Sequence, residues 1–545
     1  MSKMLTPSDI FKDAIQEFAT VHARIFRAGK KTLIAADGDP GNDDFMNFAY
    51  AAGKELLEFI MISASAGNVG PQLTLNNSLF MVEKAGLKIP VYPGAARPFG
   101  VSQEAMHNAS AAHGKSGLSD GLSPEEIARE ITHKAEPMLA AQRFAELMHH
   151  EDKPFTLMMT GALTTLAQAI FILQRQLEHD ANDQTEETQA RNRLIDEIIG
   201  DNAKDRSEAA QEFLSGKKSL SDLVTKSTRQ FLQKRINEGK LESLVMMGGV
   251  FPETQESIAQ AKLPYTIKNI GPNGQYHRTP DDYLKPDYTP EFASPSNGTE
   301  PEYGWHGNQP IFDQDGKTPL PPHKKVREFN FAHDPLATQM VFTLFREIEA
   351  ERSRFDLPFP KMMVPLNTTH KILAGDYNIG ERLIEGDLKM KQEFGLDPDT
   401  KTFAFWASKV MEGTGFPYIL RTGYHISKDG KHHPRKMIHD LITAALIANP
   451  KLFVGAAADV YIDNPEDGDF LPNQGRTSLK ANPKGNVMII DIPPERREEL
   501  INDIVASILA ASRKGIEIML EMKKASAPKE PIEDEEHHSV AVKFM

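Results

Sequence analysis

The stretch KTLIAADGDPGNDDFMNFAYAAGKELLEFIMISASAGN, residues 31–68, decides the fold class of this chain. It begins with a short apolar run and passes through an acidic loop that glycine and proline interrupt. From Asp44 it takes up the period of a helix, and it ends in the apolar run FIMISASAGN, residues 59–68. A helical segment and a third apolar run, IPVYPGA at 89–95, follow. Strands that alternate with helices in this way predict a parallel sheet with helical crossovers.

The same alternation returns further along the chain, at residues 155–173, 241–251 and 361–370. In each of these segments an apolar run leads into small, polar or glycine residues. We therefore predict an α/β fold, with an open, mostly parallel sheet flanked by helices. Because ligands bind beyond the carboxyl ends of the strands in such sheets, we expect the functional residues there.

Changes in composition along the chain suggest its domain plan. We predict an N-terminal helical extension over 1–30, an α/β domain over 31–523, and a disordered tail over 524–545 that is polar and contains proline. Two insertions interrupt the α/β domain. Residues 174–240 are strongly charged and helical in pattern, whereas residues 252–326 are rich in Pro, Gly, Asn and Tyr and predict a long loop.

Charge and composition exclude several classes of protein. The formal net charge is −14, from 62 Lys and Arg against 76 Asp and Glu, which argues against nucleic acid or an anionic membrane as the main partner. The chain has no cysteine, which excludes disulfides, thiolate nucleophiles and cysteine-bound metals. No secretory signal is visible at the N-terminus, and no apolar run is long enough to span a membrane. We therefore expect a cytoplasmic protein.

The acidic loop ADGDPGNDDF, residues 36–45, carries four carboxylates, on Asp37, Asp39, Asp43 and Asp44. Two bare carboxylates about 4 Å apart repel each other by about 4 kcal/mol at an effective dielectric near 20. A hard cation with oxygen ligands, Ca²⁺ or Mg²⁺, would convert this repulsion into coordination. A simple EF-hand is excluded, because Phe48 stands where that motif needs a bidentate Glu. These residues alone also allow a helix-capping loop with solvated Asp side chains.

A resemblance to a known family extends this interpretation. DGDPGNDD resembles the D-x-D-P-G-x-D-D signature of the nucleoside hydrolases, the inosine–uridine-preferring family. Further segments are similar to the family's motifs and stand in the family's order along the chain. They are SAGNV (65–69), IPVYPGAARPF (89–99), HGKSGLSD (113–120), TGALTTLA (160–167), MMGGVF (246–251), REFNFAHDPLA (327–337), IHDLITAALIANPKLF (438–453) and QGRTSL (474–479).

The resemblance implies an activity, a cofactor and a set of site residues. The activity is hydrolysis of the N-glycosidic bond of ribonucleosides to ribose and free base, in a Ca²⁺-dependent homodimer or homotetramer. A metal-activated water would attack, with Asp39 as general base and His439 as the acid for the leaving group. The implied metal ligands are Asp39, Asp44, Asp440 and the backbone carbonyl of Thr160. The implied substrate contacts are Asp43, Asn68, His113, Met247, Glu328 and Asn330. Asp37 is expected outside the ligand shell, where it would orient the loop.

The chain also departs from the family's motifs. Thr165, Asn367 and Leu441 stand where Asn, Asp, and Pro or Ala are usual. The segment 252–326 separates the M-G-G motif from the E-F-N motif and leaves one ribose-contacting Asn unplaced, for which Asn308 is a candidate.

Two other functions compete with a hydrolase. The first is a non-catalytic nucleoside- or ribose-binding protein that keeps the fold and the metal site. The intact acidic residues and His439 argue against it. The second is a metal-dependent phosphatase that uses Asp37 as its nucleophile. Such an enzyme usually has Thr or Val two residues after the second Asp, where this chain has Gly41.

Overall fold

The computed structural model of the protein describes most of the α/β domain. The described residues are 31–101, 106, 108–119, 121–200, 206–249, 267–271, 274–278, 328–353, 359–369, 372, 377–412, 424–426, 432–434, 438–463, 476–481 and 487–526. The predicted extension over 1–30, most of the 252–326 insertion, and the tail after residue 526 lie outside them.

The strands of the described residues form one large sheet and two small hairpins. The strands are β1 (Thr32–Gly38), β2 (Leu57–Ala64), β3 (Val91–Pro93), β4 (Phe155–Met159), β5 (Leu241–Met247), β6 (Ile267–Gly271), β7 (Gly274–Arg278), β8 (Lys361–Val364), β9 (Tyr424–Ile426), β10 (His432–Pro434), β11 (Val454–Asp463), β12 (Arg476–Ala481) and β13 (Val487–Asp491). The large sheet has nine strands in the order β12-β11-β13-β8-β5-β4-β1-β2-β3. The hairpins pair β6 with β7 and β9 with β10.

Helices connect and cover these strands. They are α1 (Asn42–Ala52), α2 (Pro71–Lys84), α3 (Ser110–His113), α4 (Pro124–Arg129), α5 (Ala140–His150), α6 (Thr164–Asp180), α7 (Glu186–Ile199), α8 (Glu208–Leu214), α9 (Lys226–Asn237), α10 (Phe329–His333), α11 (Pro335–Ala350), α12 (Leu366–Thr369), α13 (Ile379–Glu393), α14 (Phe403–Glu412), α15 (Leu441–Ala448) and α16 (Arg497–Ser526). Among the described residues, no helix is both long and apolar enough to cross a membrane.

The strand directions confirm the predicted open, mostly parallel sheet. The seven strands from β3 to β13 in the sheet order pair in parallel, and β11 and β12 add an antiparallel edge. The chain runs from β1 outward to β2 and β3, and then returns to place β4 on the other side of β1. The sheet order therefore reverses beside β1, which is where open α/β sheets form their binding crevice.

Apolar residues on both faces of the sheet form two cores. On β1, Ile34 and Ala36 point into one core and Ala35 into the other, as alternation along a strand requires. Helices α1, α2, α14, α15 and α16 cover the first face, and α5, α6 and α11 cover the second. The segment 174–240 forms the end of α6 and then α7, α8 and α9, and its buried apolar residues join the second core.

Candidate active site

The acidic loop lies at the carboxyl edge of the sheet, where β1 passes into α1. Asp39 follows the strand, and Asp43 and Asp44 stand in the first turn of α1, where the helix dipole favours negative charge. Asp440 comes from a distant part of the chain and directly precedes α15, which packs against α1. All four carboxylate residues are buried.

The carboxylates form one cluster. One oxygen each from Asp43, Asp44 and Asp440 lies within 4.8 Å of the other two. Burial, together with the charge of Asp43, raises the pKa of Asp44 to about 7. Burial raises the pKa of Asp440 well above its usual range, and the charges of the loop carboxylates add to that effect. The same two causes, burial first, raise the pKa of Asp39. Four buried carboxylates of this kind cannot all be ionised without a compensating positive charge.

The hydrogen bonds of Asp44 and Asp440, and the type of atom that the cluster offers, bear on whether a cation fits there. Asp44 accepts hydrogen bonds from the Thr160 hydroxyl at 2.8 Å and from the Gly41 N–H at 3.0 Å. Oδ1 of Asp440 is buried and accepts no hydrogen bond from the part of the chain that the structure describes. Convergent carboxylate oxygens are the ligands that Ca²⁺ and Mg²⁺ prefer, so the donor set fits a hard divalent cation.

Asp39 lies beside this three-carboxylate group rather than within it. Its Oδ2 accepts the backbone N–H of Asn68 at 2.7 Å, and the Asn68 side-chain amide donates to the Asp39 carbonyl at 2.8 Å. The same amide lies 3.4 Å from Asp44 Oδ2. Gly67 permits this contact, because a Cβ there would lie 2.0 Å from Asp39 Oδ2. The structure thus places Asn68 between two of the predicted metal ligands, and it brings Asp43 into the group that offers converging oxygens.

Thr160 connects the cluster to the predicted substrate residues. Its backbone N–H donates to the Asp37 carbonyl at 2.8 Å, which holds the end of β4 beside β1. Its carbonyl, a predicted metal ligand, accepts the side-chain amide of Asn330 at 2.8 Å. That amide also lies 3.3 Å from the Met247 carbonyl. Asn330 and Met247, predicted as substrate contacts, therefore meet at the edge of the acidic cluster.

Glu328 has a structural task in addition to any contact with substrate. Its carboxylate accepts three backbone N–H groups, from Gly249 at 3.0 Å, Asn330 at 2.6 Å and Phe331 at 2.9 Å. It therefore caps α10 and joins that helix to the loop after β5. Burial nevertheless raises the pKa of Glu328 to about 7.

Both histidines predicted from the motifs are buried near the carboxylates. Nδ1 of His439 lies 2.7 Å from the hydroxyl of Thr369, at the end of α12. Nδ1 of His113 accepts the backbone N–H of Asn42 at 3.2 Å and lies 3.8 Å from Asp43 Oδ1. His113 therefore supports the start of α1, which carries Asp43.

Asp37, expected to orient the loop from outside the ligand shell, is held by residues whose supporting role was not predicted from the sequence. Asp37 lies in an outer position, where its Oδ1 accepts the hydroxyls of Ser63 and Ser65, the latter at 2.7 Å. Burial still raises the pKa of Asp37 to about 7. Thr165, one of the departures from the family motif, belongs to the same network, because its hydroxyl lies 2.7 Å from Ser65 Oγ and accepts the N–H of Ala95 at 3.0 Å. The alternation of Ser63 and Ser65 at the end of β2 is a signal that could have indicated this network.

The other departures carry less information. Leu441 is fully buried and belongs to the first core, so its apolar side chain is accounted for by packing. Asn367 lies in α12. Asn308 lies outside the described residues.

Comparisons with known proteins give the family. The family model for the inosine-uridine preferring nucleoside hydrolases matches residues 34–179 and 232–497. The chain is 33% identical over 135 residues to the pyrimidine-specific ribonucleoside hydrolase RihA of Photobacterium profundum, which covers 25% of this chain and 41% of that protein. It is 31% identical over 139 residues to the inosine-uridine preferring nucleoside hydrolase of Leishmania major, covering 25% and 42%. The chain thus aligns with about two fifths of the length of these curated relatives.

Solved structures were compared as well. The purine-preferring ribonucleoside hydrolase from Gardnerella vaginalis aligns over 89% of this chain and 100% of that chain, with a TM-score of 0.49 and 14% identity. The family assignment rests on the family model, whose two matched segments take in the acidic loop, the His439–Asp440 pair and more than half of the residues. On that match, the chain belongs to the inosine-uridine preferring nucleoside hydrolase family.

Proposed function

We propose that the protein hydrolyses ribonucleosides, cleaving the N-glycosidic bond with water to give ribose and free base. The observation that carries this proposal is the buried cluster of Asp43, Asp44 and Asp440 at the carboxyl edge of the sheet, with Asp39 and His439 beside it. Membership of the nucleoside hydrolase family supports the same activity.

Ca²⁺ is the proposed cofactor. Asp39, Asp44, Asp440 and the carbonyl of Thr160 would hold the ion, and Asp43 lies close enough to take part. When bound, the cation supplies positive charge that balances the carboxylates, and it makes water more acidic. The elevated pKa values of the carboxylates support this assignment, because buried groups of like charge ionise together only beside a compensating positive charge.

Asp39 is the proposed general base. The Asn68 N–H bond to its Oδ2 fixes the orientation of the carboxylate, which a proton acceptor requires. Asp43, Asn68, Asn330, Glu328, Met247 and His113 are the proposed contacts for the nucleoside. Their positions support this role, since Asn68 lies between Asp39 and Asp44 and Asn330 bonds the Thr160 carbonyl.

His439 is the proposed acid for the departing base. Thr369 holds the ring, because its hydroxyl lies 2.7 Å from Nδ1 and 3.4 Å from the Leu366 carbonyl. A hydroxyl that donates to Leu366 can accept the Nδ1 proton of His439. When the ring is doubly protonated, Nε2 is then the nitrogen that would deliver its proton to the leaving group as the bond breaks, leaving the neutral ring with its proton on Nδ1.

The proposed substrates are ribonucleosides as a class, without a preference for one base. The relatives are named for pyrimidine nucleosides in one case and for inosine and uridine in another. We therefore propose ribonucleosides as the class. We also propose a cytoplasmic homodimer or homotetramer without nucleic acid or membrane partners.

A panel of ribonucleosides with Ca²⁺ tests the proposal, with release of free ribose as the readout. We expect ribose from at least one of inosine, guanosine, uridine and cytidine, and none after chelation. Asp39→Asn should abolish release but keep nucleoside binding, whereas Asp196→Asn, which removes an exposed carboxylate paired with Arg175, should behave as wild type. Nucleoside binding without ribose release by the wild-type protein would identify a binding protein instead.

A further inference from the structure

We propose that Asn47 is a positioning residue for the cation site, because it holds the start of α15, and with it Asp440, against α1. The inference rests on the proposed cation site and adds a residue that neither touches the cation nor belongs to a predicted motif. It concerns the one ligand, Asp440, that does not come from the strand edges or from α1.

Asn47 faces α15 from the same side of α1 as Asp44. It lies three residues after Asp44, which is nearly one helical turn, and its side chain is fully buried. Its Oδ1 accepts the backbone N–H of Ala444 at 3.3 Å and lies 3.4 Å from the hydroxyl of Thr443. Its Nδ2 lies 3.9 Å from the sulfur of Met158, on β4. The amide of Asn47, on α1, thus contacts both α15 and the central strand β4.

Asn47 is hydrogen bonded to the first turn of α15, and Asp440 stands at the start of that turn. The N–H and the hydroxyl of Thr443 both donate to the Asp440 carbonyl, at 2.8 and 2.7 Å. Although Asp440 stands at the N-cap position of α15, its side chain accepts no capping hydrogen bond from the helix. The usual cap bond therefore does not set the direction of this carboxylate. Its position follows from where the backbone of the first turn is placed.

The surroundings of Asn47 favour a role for its amide in fixing the relative position of α1 and α15, rather than in filling space. Phe45 and Phe48 of α1 and Leu441 and Ala445 of α15 belong to one buried apolar core. A buried amide in such a core costs free energy unless it is hydrogen bonded, and a Leu side chain, which branches at the same atom, would not carry that cost. When they are ionised and no cation is bound, the carboxylates on the two helices also repel each other. A directional bond beside them keeps the two helices in register.

Binding of Ca²⁺ and Tb³⁺ to the full-length protein tests the inference without reference to turnover. Asn47→Leu should weaken Ca²⁺ binding about 10-fold in calorimetry, the usual effect of removing a residue that orients a metal ligand. Tb³⁺, bound as a luminescent substitute for Ca²⁺, should show a shorter lifetime in H₂O but not in D₂O, because water replaces the misplaced carboxylate. Asn47→Ser, a smaller change, serves if Asn47→Leu does not fold.

Gln174→Leu is the matched control. Gln174 is also a buried amide that joins two helices, since it accepts the Thr225 N–H at 2.8 Å and donates to the Leu223 carbonyl at 3.2 Å, but it belongs to the charged helical segment. Its loss should leave Ca²⁺ affinity and the Tb³⁺ lifetime unchanged. Wild-type values in a folded Asn47 variant, or equal losses in both variants, would overturn the inference alone. Failure of the wild-type protein to bind either ion would overturn the cation site itself.

Discussion

His439 and Asp440 are neighbours in sequence, but their proposed tasks separate cleanly. A purine is a poor leaving group without a proton, whereas p-nitrophenolate departs unaided. His439→Ala should therefore lower kcat with inosine about 10²–10⁴-fold, the usual contribution of a positioned acid, and lower kcat with p-nitrophenyl riboside only slightly. Steady-state kinetics on both substrates measure the difference.

Ca²⁺ affinity serves as the control for this prediction. It should stay near the wild-type value, because Asp440 remains in place. Equal losses of kcat on the two substrates would mean that His439 positions the ribose or the cation. No loss on either substrate would remove it from the mechanism.

For single residues of the candidate site, the sequence indicated the charged side chains but not most of the residues that hold those side chains in position. The acidic loop and the His439–Asp440 pair stand in recognisable motifs, and the structure brings them together. Asn47, Ser63 and Thr369 act only through tertiary contacts, and an isolated Asn, Ser or Thr has no local pattern that separates support from packing. Asp43 was predicted as a substrate contact, but its carboxylate belongs to the group of converging oxygens. The direction of that side chain depends on where α1 begins, which its own motif does not state.

The loop after β2 packs closely against the acidic site. A Cβ at Gly67 would lie 2.0 Å from Asp39 Oδ2, so Gly67→Ala must displace either the loop or the carboxylate. We expect Ca²⁺ affinity and turnover to fall about 10-fold or more, as for loss of other residues that orient metal ligands. Calorimetry and ribose release measure the two effects.

Gly70→Ala, only three residues along the same loop, is the matched control. No described atom lies within 4 Å of the position that its Cβ would take, so both properties should stay at wild-type values. Wild-type affinity and turnover in Gly67→Ala would show that Asp39 does not need its present position.

Elements buried on both faces were the easiest to predict. Strands such as β1, β4 and β5 are continuous apolar runs, because helices cover both sides of a parallel sheet. The antiparallel edge formed by β11 and β12 was not specified, since the direction of a strand depends on its partner and leaves no mark in its own residues. The prediction of a parallel sheet is therefore confirmed for its central strands. The antiparallel direction of the edge strands depends on their pairing and could not be predicted from their sequences.

For the whole molecule, buried carboxylates make stability depend on pH. Asp37, Asp44 and Glu328 have folded pKa values of about 7, well above the usual values of 3.8 for Asp and 4.5 for Glu. A raised folded pKa favours the protonated form. The stability that these groups contribute is thus present below about pH 4 and is lost as the pH rises through about 7.

The metal-free protein should accordingly unfold at lower urea concentration at pH 8 than at pH 5. Saturating Ca²⁺ should raise the pH 8 midpoint more than the pH 5 midpoint, because the cation binds the ionised carboxylates. Glu328→Gln, which removes one of these titrating groups, should make the decline without Ca²⁺ less steep. A metal-free protein that is more stable at pH 8 than at pH 5 would contradict this account.

The segment 174–240, predicted as a charged helical insertion, also contributes to the core of the domain. Its last helix, α9, packs against β5 and α11. A helix of this kind is difficult to recognise as part of the core from its sequence, because most of its residues are charged or polar. Only its buried face, with Leu232 and Ile236, joins the core. The oligomeric state and the cellular location stay predictions.

We propose that the buried carboxylates hold a cation on which nucleoside hydrolysis depends. The most direct test is the rate of ribose release from ribonucleoside during a Ca²⁺ titration of chelator-treated, full-length protein. We expect a rate that rises from near zero and saturates at the Ca²⁺ concentration where calorimetry shows the site to fill, with no rise in Asp44→Ala. Ribose release that is independent of Ca²⁺, or a wild-type rise that Asp44→Ala reproduces, would contradict it.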